Sequence, residues 1–499
     1  SDNTAVGAAS LYANTTGADN VAIGRQALVA NTTGSANIAI GCGALCKTTT
    51  GDPNVAIGHG SMVCNVTGQY NTGVGYLTLN KNTADNNTAM GFDAMKQNTT
   101  GYQNTALGQN ALDSNTTANH NTAIGATTLA ANTTGYANTA VGYNALCTHT
   151  TGNSNTAVGD HAMKLTTTGT FNVAIGDNAL CANTTASSNV AIGRDTMFAN
   201  TTGANNVAVG ALALDANTTG AENVAVGASA LSANTTGTRN VAVGFGSMLC
   251  NTTANDNTAV GRCAMKLNTT GASNTAMAKD ALVFNTTGSN NTAIGTSALY
   301  LNTTGDANVA VGNVALDANT TGTNNVALGS AALGAVTTGS GNIGIGQNTA
   351  YELYTGSNNI TIGQNSGSDA MRALGNATAN NIVVGNNSHS VAYIKIDWTV
   401  TSDLRDKMNI EEVPHGLDFV NQLNPIKYNF KKSREDATPN GKARYGFKAQ
   451  DILAIEGDNP IIIDNDDVEN LKFTNANLVP VLVNAIKELK AEIELLKNK

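Results

Sequence analysis

Asn20-Val21-Ala22-Ile23-Gly24-Arg25-Gln26-Ala27-Leu28-Val29-Ala30-Asn31-Thr32-Thr33-Gly34-Ser35-Ala36 is followed at once by Asn37-Ile38-Ala39-Ile40-Gly41, where the same pattern begins again. The opening Asn recurs at Asn3, Asn20, Asn37, Asn54 and Asn71, then from Asn87 to Asn359, and last at Asn381, which makes 23 copies. The step is 17 residues, except 16 before Asn87 and 22 before Asn381. The consensus is N-[VT]-A-[VI]-G-x-x-A-L-x-x-N-T-T-G-x-x. A fixed short period of this kind marks a stacked repeat architecture.

Each part of the unit has a physical reading. Val21-Ala22-Ile23 alternates as a short strand does. The third residue after the Asn is always aliphatic (Val6, Ile23, Ile40, Ile57, Val74, Met90), and the expectation is that it points into a dry interior. The residue before it is nearly always Ala, so the opposite face also meets something close. Gly follows in 22 of 23 copies, with Ala278 the exception, and predicts positive φ or tight backbone approach at a corner. A second apolar pair such as Ala27-Leu28 predicts a second short strand. Asn-Thr-Thr-Gly then reads as a turn. The fold class is mainly β: an elongated parallel β-solenoid or β-roll rod over residues 1–390. Neighbouring coils lie ~4.8 Å apart. A thin coil with an Ala-lined outer face needs partners, so side-by-side packing of chains is expected.

Composition supports a rod over a ball. Charged residues are 12% and aromatics 4%, with 52 Gly and one Trp among 499 residues, so the bulky side chains of wide cores are scarce. Hydrophobic content of 41% and a net charge of -9 argue against disorder. No dense Lys/Arg run occurs, so nucleic acid is not an expected partner. No apolar run approaches membrane-spanning length, so no membrane insertion is expected. The chain opens on Ser1-Asp2-Asn3, inside a repeat and without a basic and apolar leader; no signal peptide is expected here, and further sequence is expected upstream.

Other signals in the repeats have bland readings. Most units place Asn at the first turn position, as in Asn14-Thr15-Thr16 and Asn31-Thr32-Thr33, which matches the glycosylation pattern; a stacked Asn/Thr ladder is the favoured alternative. Cys42, Cys46, Cys64, Cys147, Cys181, Cys250 and Cys263 are irregularly spaced and read as free buried thiols, although Cys46 and Cys64 are placed to meet. The six His residues are scattered and read as surface or turn positions. No metal ligand set, nucleotide fingerprint or paired-acid cleft stands out, so no metal and no cofactor is expected.

Near residue 400 the composition changes. Residues 1–399 hold 12 Lys/Arg and 18 Asp/Glu, while residues 400–499 hold 14 and 17 in a quarter of the length. Tyr393-Ile394-Lys395-Ile396-Asp397-Trp398 reads as a linker strand within 391–401, leading into an α+β domain over 402–499. The chain ends in a helix whose Leu482, Ile486, Leu489, Ile493 and Leu496 are spaced four and three apart, a heptad seam.

The repeats resemble the head repeats of trimeric bacterial adhesins, left-handed parallel β-rolls packed as trimers, and the Asn-Thr-Thr-Gly turns resemble those of phage fibre proteins. Residues 402–499 resemble the C-terminal intramolecular chaperone domain of phage tail spikes and fibres, the peptidase S74 type. The residues that carry this are Ser402-Asp403-x-Arg405-x-Lys407-x-Asn409-Ile410, the Leu423-x-Pro425-x-x-Tyr428 segment, and Gly446-Phe447-x-Ala449-Gln450. Asp451 stands where the family usually has Glu.

The resemblance implies a homotrimeric viral fibre or tail appendage, located in the virion. Such terminal domains trimerise, register the shaft and in many members then cut themselves off; a chaperone that is retained uncut is the alternative. The resemblance implies Ser402 as nucleophile and Lys407 as base, with Asp403, Arg405 and Asn409 in supporting roles. The expected partners are two further copies of the chain, a host surface receptor or glycan, and tail or baseplate proteins. No enzyme acting on an external substrate is expected. Two alternatives stay open: a fragment of a bacterial trimeric adhesin, and a polysaccharide-degrading spike whose catalytic part lies upstream.

Overall fold

The computed structural model describes residues 2–368, 374–386, 388–389, 402–431, 434, 436–458, 460–465, 468 and 471–498. The expected linker strand at 391–401 lies outside the described residues. The chain divides into two units, one of them essentially residues 1–360 and the other containing residues 382–499.

The first unit is a parallel β-solenoid. Each repeat contributes one strand, from β1 (Thr4–Val6) and β2 (Val21–Ile23) through β3 (Ile38–Ile40) to β21 (Ile343–Ile345). Strands pair with the next in sequence, in register: Val21 faces Ile38, Ala22 faces Ala39 and Ile23 faces Ile40. The motif is repeated at β22 (Ile360–Ile362) and β23 (Ile382–Val384). At ~4.8 Å per coil, the first 21 strands rise by roughly 100 Å.

Two expectations are corrected. The aliphatic third position faces outward: Ile23 is 38% exposed, whereas Ala22 is fully buried. The reason is the width of the coil. A single three-residue strand closes on a turn that drives Leu28 inward, and only a methyl group fits beside that side chain. The second expected strand is also absent, because Ala27-Leu28 lies in a turn. Gln26 and Leu28 both adopt left-handed backbone, with φ of 62° and 52°. That conformation costs on the order of 1 kcal/mol at a non-Gly residue, and burying a Leu side chain returns about 1.5–3 kcal/mol. The turn amides still pair between coils, as Leu28 N–H donates to Ala44 O at 3.1 Å.

Two Asn ladders run through the interior. The strand-opening Asn20 donates from Nδ2 to Gly34 O at 2.9 Å, and its Oδ1 accepts from Asn37 N at 2.9 Å. The turn Asn31 donates to Asn14 Oδ1 and Gly34 O, both at 2.9 Å. Both Asn20 and Asn31 are fully buried, which supports the ladder over glycosylation at the turn. The Gly after most of the shaft strands meets both sequence-based reasons for it. Gly24 has a φ of 128°, and a Cβ there would sit 2.7 Å from the backbone of Gly41 in the next coil.

The described part of the C-terminal domain is α+β. Helix α1 (Leu417–Gln422) is followed by strands β24 (Ile426–Lys431) and β25 (Pro439–Gly446), which pair antiparallel. Then come α2 (Ala449–Glu456), the short antiparallel pair β26 (Ile463–Asp464) and β27 (Lys472–Phe473), and α3 (Asn475–Lys497). Phe419, Ile452, Ile462, Ile463, Leu478 and Val481 form the core, with Phe447 and Phe473 packed against it.

Candidate functional site

Ser402 and Lys407 are brought together. A one-turn 3-10 helix over Leu404–Asp406 lies between them. Asp403 caps it, its carboxylate accepting from Arg405 N at 2.9 Å, and Lys407 N donates to Leu404 O at 3.2 Å. This reversal places Lys407 Nζ 2.8 Å from Ser402 Oγ. Arg405 also returns to Asp403, Nη2 to Oδ2 at 2.6 Å, which holds the Asp403 carboxyl below the usual carboxylate range. Asn409 follows with a φ of 54°, a conformation Asn tolerates better than most residues.

Chemically, this is a hydroxyl and an amine at proton-transfer distance. A protonated amine only donates to the hydroxyl; a neutral one can take its proton, and neutrality requires exclusion of water. Ser402 and Lys407 are both exposed in the single chain. The fold of one chain therefore brings the hydroxyl and the amine together at an exposed position.

Helix α3 holds the segment that follows the pair. Asn484 Nδ2 donates to Val413 O at 3.1 Å and His415 O at 3.4 Å, and Glu488 Oε2 accepts from Leu417 N at 2.6 Å. Neither residue was found from sequence, because their partners lie about seventy residues away. Glu456 was also missed; its carboxylate accepts from the amides of Ile461, Ile462 and Ile463 at 2.7–3.0 Å. Two of the sequence motifs meet physically. Gly446 pairs with Ile426 across β24 and β25, and a Cβ at Gly446 would lie 2.9 Å from the ring of Tyr428.

The two faces of α3 differ. Leu478, Val481 and Ala485 are buried on the domain, whereas the seam residues Leu482, Ile486, Leu489, Ile493 and Leu496 are all exposed. In the shaft, all seven cysteines are free. Burial pushes the Cys46, Cys147 and Cys181 thiols up, away from the reactive thiolate. His149 departs from the surface reading: it takes the ladder position of a turn Asn and is fully buried.

Residues 402–459 match the family model described as Chaperone of endosialidase, Peptidase_S74. No curated protein matches the chain. No solved structure matches it either.

Proposed function

We propose, from a C-terminal region that belongs to the chaperone-of-endosialidase family, that this chain is the shaft and assembly module of a homotrimeric phage fibre or tail appendage that contacts a host surface. The terminal domain trimerises, sets the stagger of three shafts and then severs itself at Ser402. The observation that carries this reading is the 2.8 Å contact between Lys407 Nζ and Ser402 Oγ inside the matched region.

Two unpartnered apolar surfaces support a trimer. One is the seam on α3. The other is the outward face of the shaft strands, where Ile23, Ile124, Ile175, Ile294 and Ile345 are each more than a third exposed. Contiguous apolar surface of this extent is rarely left in water. Assembly that covers the exposed Ser402–Lys407 pair would exclude water from it and let the amine act as a base. Cutting would then follow assembly. In the cut, Ser402 Oγ attacks an adjoining backbone carbonyl as its proton passes to Lys407, the peptide C–N bond breaks as Lys407 returns that proton to the leaving amine, and water then hydrolyses the ester to a carboxylic acid and the free Ser402 hydroxyl.

The test is a denaturing gel together with light scattering. Wild type should give a rod of about four hundred residues and a fragment of about one hundred, as expected for acyl transfer at Ser402. Ser402→Ala should stay full length and trimeric. Lys407→Ala and Lys407→Arg should cleave slowly, since a guanidinium does not become a neutral base. Equal cleavage in Ser402→Ala and wild type would refute the chemistry. A stable monomer would refute the assembly.

A further inference from the structure

The one shortened coil of the regular shaft carries a notch. From Asn82 to Asn87 the turn reads Thr83-Ala84-Asp85-Asn86, one residue fewer than the Thr-Thr-Gly-x-x of a full unit. The consequences appear in the corner ladder. Thr32 N donates to Thr49 O, Thr49 N to Val66 O, and Thr83 N to Thr99 O, each at 2.9–3.0 Å. Across the step from Val66 to Thr83, no such backbone bond forms among the described residues. The Asn ladder breaks at the same step. Asn82 Nδ2 keeps the bond to its own turn, to Ala84 O at 2.8 Å, but makes none to the preceding coil, and Asn65 Oδ1 is left buried without a partner.

The fault opens a depression of about 400 Å³, lined by Thr67, Gln69, Thr83, Asp85, Asn86 and Tyr102 among others. Asp85 is fixed, its Oδ1 accepting from Gln69 N at 2.8 Å. Tyr102 is 42% exposed, with His120 against it edge-on at 5.4 Å between ring centres. Hydroxyls, a carboxylate and side-chain amides thus converge beside an accessible aromatic ring. That combination suits a polyhydroxylated ring, whose hydroxyls need paired donors and acceptors while its C–H face packs on an aromatic ring. The carboxylate disfavours an acidic sugar.

We infer that the notch at the shortened coil binds a neutral pyranose unit of a surface glycan. The inference rests on the attachment reading only for the source of the sugar. A trimer would carry three such notches, and multivalent contact would compensate for a weak single site.

The test is saturation-transfer NMR on the full chain with methyl glucoside, galactoside, mannoside and N-acetylglucosaminide as probes. At least one should receive transfer from the wild type. Tyr102→Ala should weaken its binding about tenfold, the scale of one lost stacking contact. Insertion of Gly between Ala84 and Asp85 restores the 17-residue unit and should abolish binding, with circular dichroism showing the shaft intact. Lack of transfer to every probe overturns the inference, and so does undiminished transfer in either variant. Adsorption of wild-type fibre to bacterial cells is read separately. Pyranoside binding without adsorption supports the notch and counts against attachment; adsorption without pyranoside binding does the reverse.

Discussion

His149→Asn is expected to stabilise the shaft and to remove an acid sensitivity. In the turn ladder, each Asn Oδ1 accepts from the Asn Nδ2 of the following coil, as Asn217 Oδ1 accepts from Asn234 at 2.9 Å. Three of the buried Asn Oδ1 atoms without a partner precede coils that lack this donor: Asn31 before Thr48, Asn132 before His149, and Asn319 before Val336. His149 Nε2 reaches Gly152 O at 2.7 Å, but Nδ1 is buried without a partner. Asn at this position would give Asn132 Oδ1 a donor. An unpaired buried polar group costs about 1–3 kcal/mol, so the expected gain is about 1–2 kcal/mol after the smaller side chain is allowed for.

The pH response follows from burial, which pushes the His149 imidazole below its ordinary 6.5. A depressed folded value means that the unfolded chain takes up the proton first. The stability of this coil is therefore fully present above about pH 6.5 and falls as pH drops through the folded value. A solenoid has no single global transition, so the assay is native-state amide exchange of the coils around Asn132 and His149 at pH 7 and pH 5. Wild type should lose protection at the lower pH, while His149→Asn should be better protected and flat. Equal protection at pH 7, or the same acid loss in both proteins, would refute the reasoning.

Ala278 stands where the other units have Gly, with a φ of 115°; Ala278→Gly should raise local protection by about 1 kcal/mol in the same exchange experiment. Gly227→Ala should do the opposite by more than about 3 kcal/mol, because its Cβ would lie 2.6 Å from Gly244 O at a φ of 132°. Ile486→Asp changes an exposed residue, so the far-UV spectrum should hold while light scattering reports loss of the proposed trimer.

The period, the single-chain solenoid and the corner Gly were legible in the sequence because each recurs at a fixed spacing. The facing of the strand was not. Hydrophobicity points Ile23 inward, but interior width decides, and the position restricted to the smallest side chain is the one inside. A signal was present: Val21 and Ile23 share a face by the two-residue alternation, and the first of these positions is Thr in many copies. The second strand was misread because Ala27-Leu28 is apolar, although alternating left-handed residues make it a turn. The Ser402–Lys407 contact was legible through its motif, and Asp403 as cap supplies the local reason that these six residues fold back on themselves. Asn484 and Glu488 had no local signal, since they act across the domain.

The division of labour between the two parts follows from where positional information resides. In the proposed trimer, three shafts present nearly the same aliphatic stripe at every coil. A slip of one repeat therefore sets Ile23 against the neighbour of Ile40 and loses contact only at the ends and at the few irregular coils. With 23 copies, the correct stagger and its neighbours differ by a small fraction of the total contact, and a long misaligned stripe would separate slowly. The terminal domain has no such degeneracy. Its core residues occur once each, and a one-heptad slip of the seam from Leu482 to Leu496 would forfeit about half of it. A nucleus formed there admits one stagger, and the coils can add outward from it. In the proposed trimer, register would then be held by the accumulated contact along the shaft, and the domain that set it would no longer be needed. Under the proposed function, a Ser–Lys pair assembled in one chain and covered only in three would fit that order of events, because it would tie removal of the nucleus to completion of the assembly.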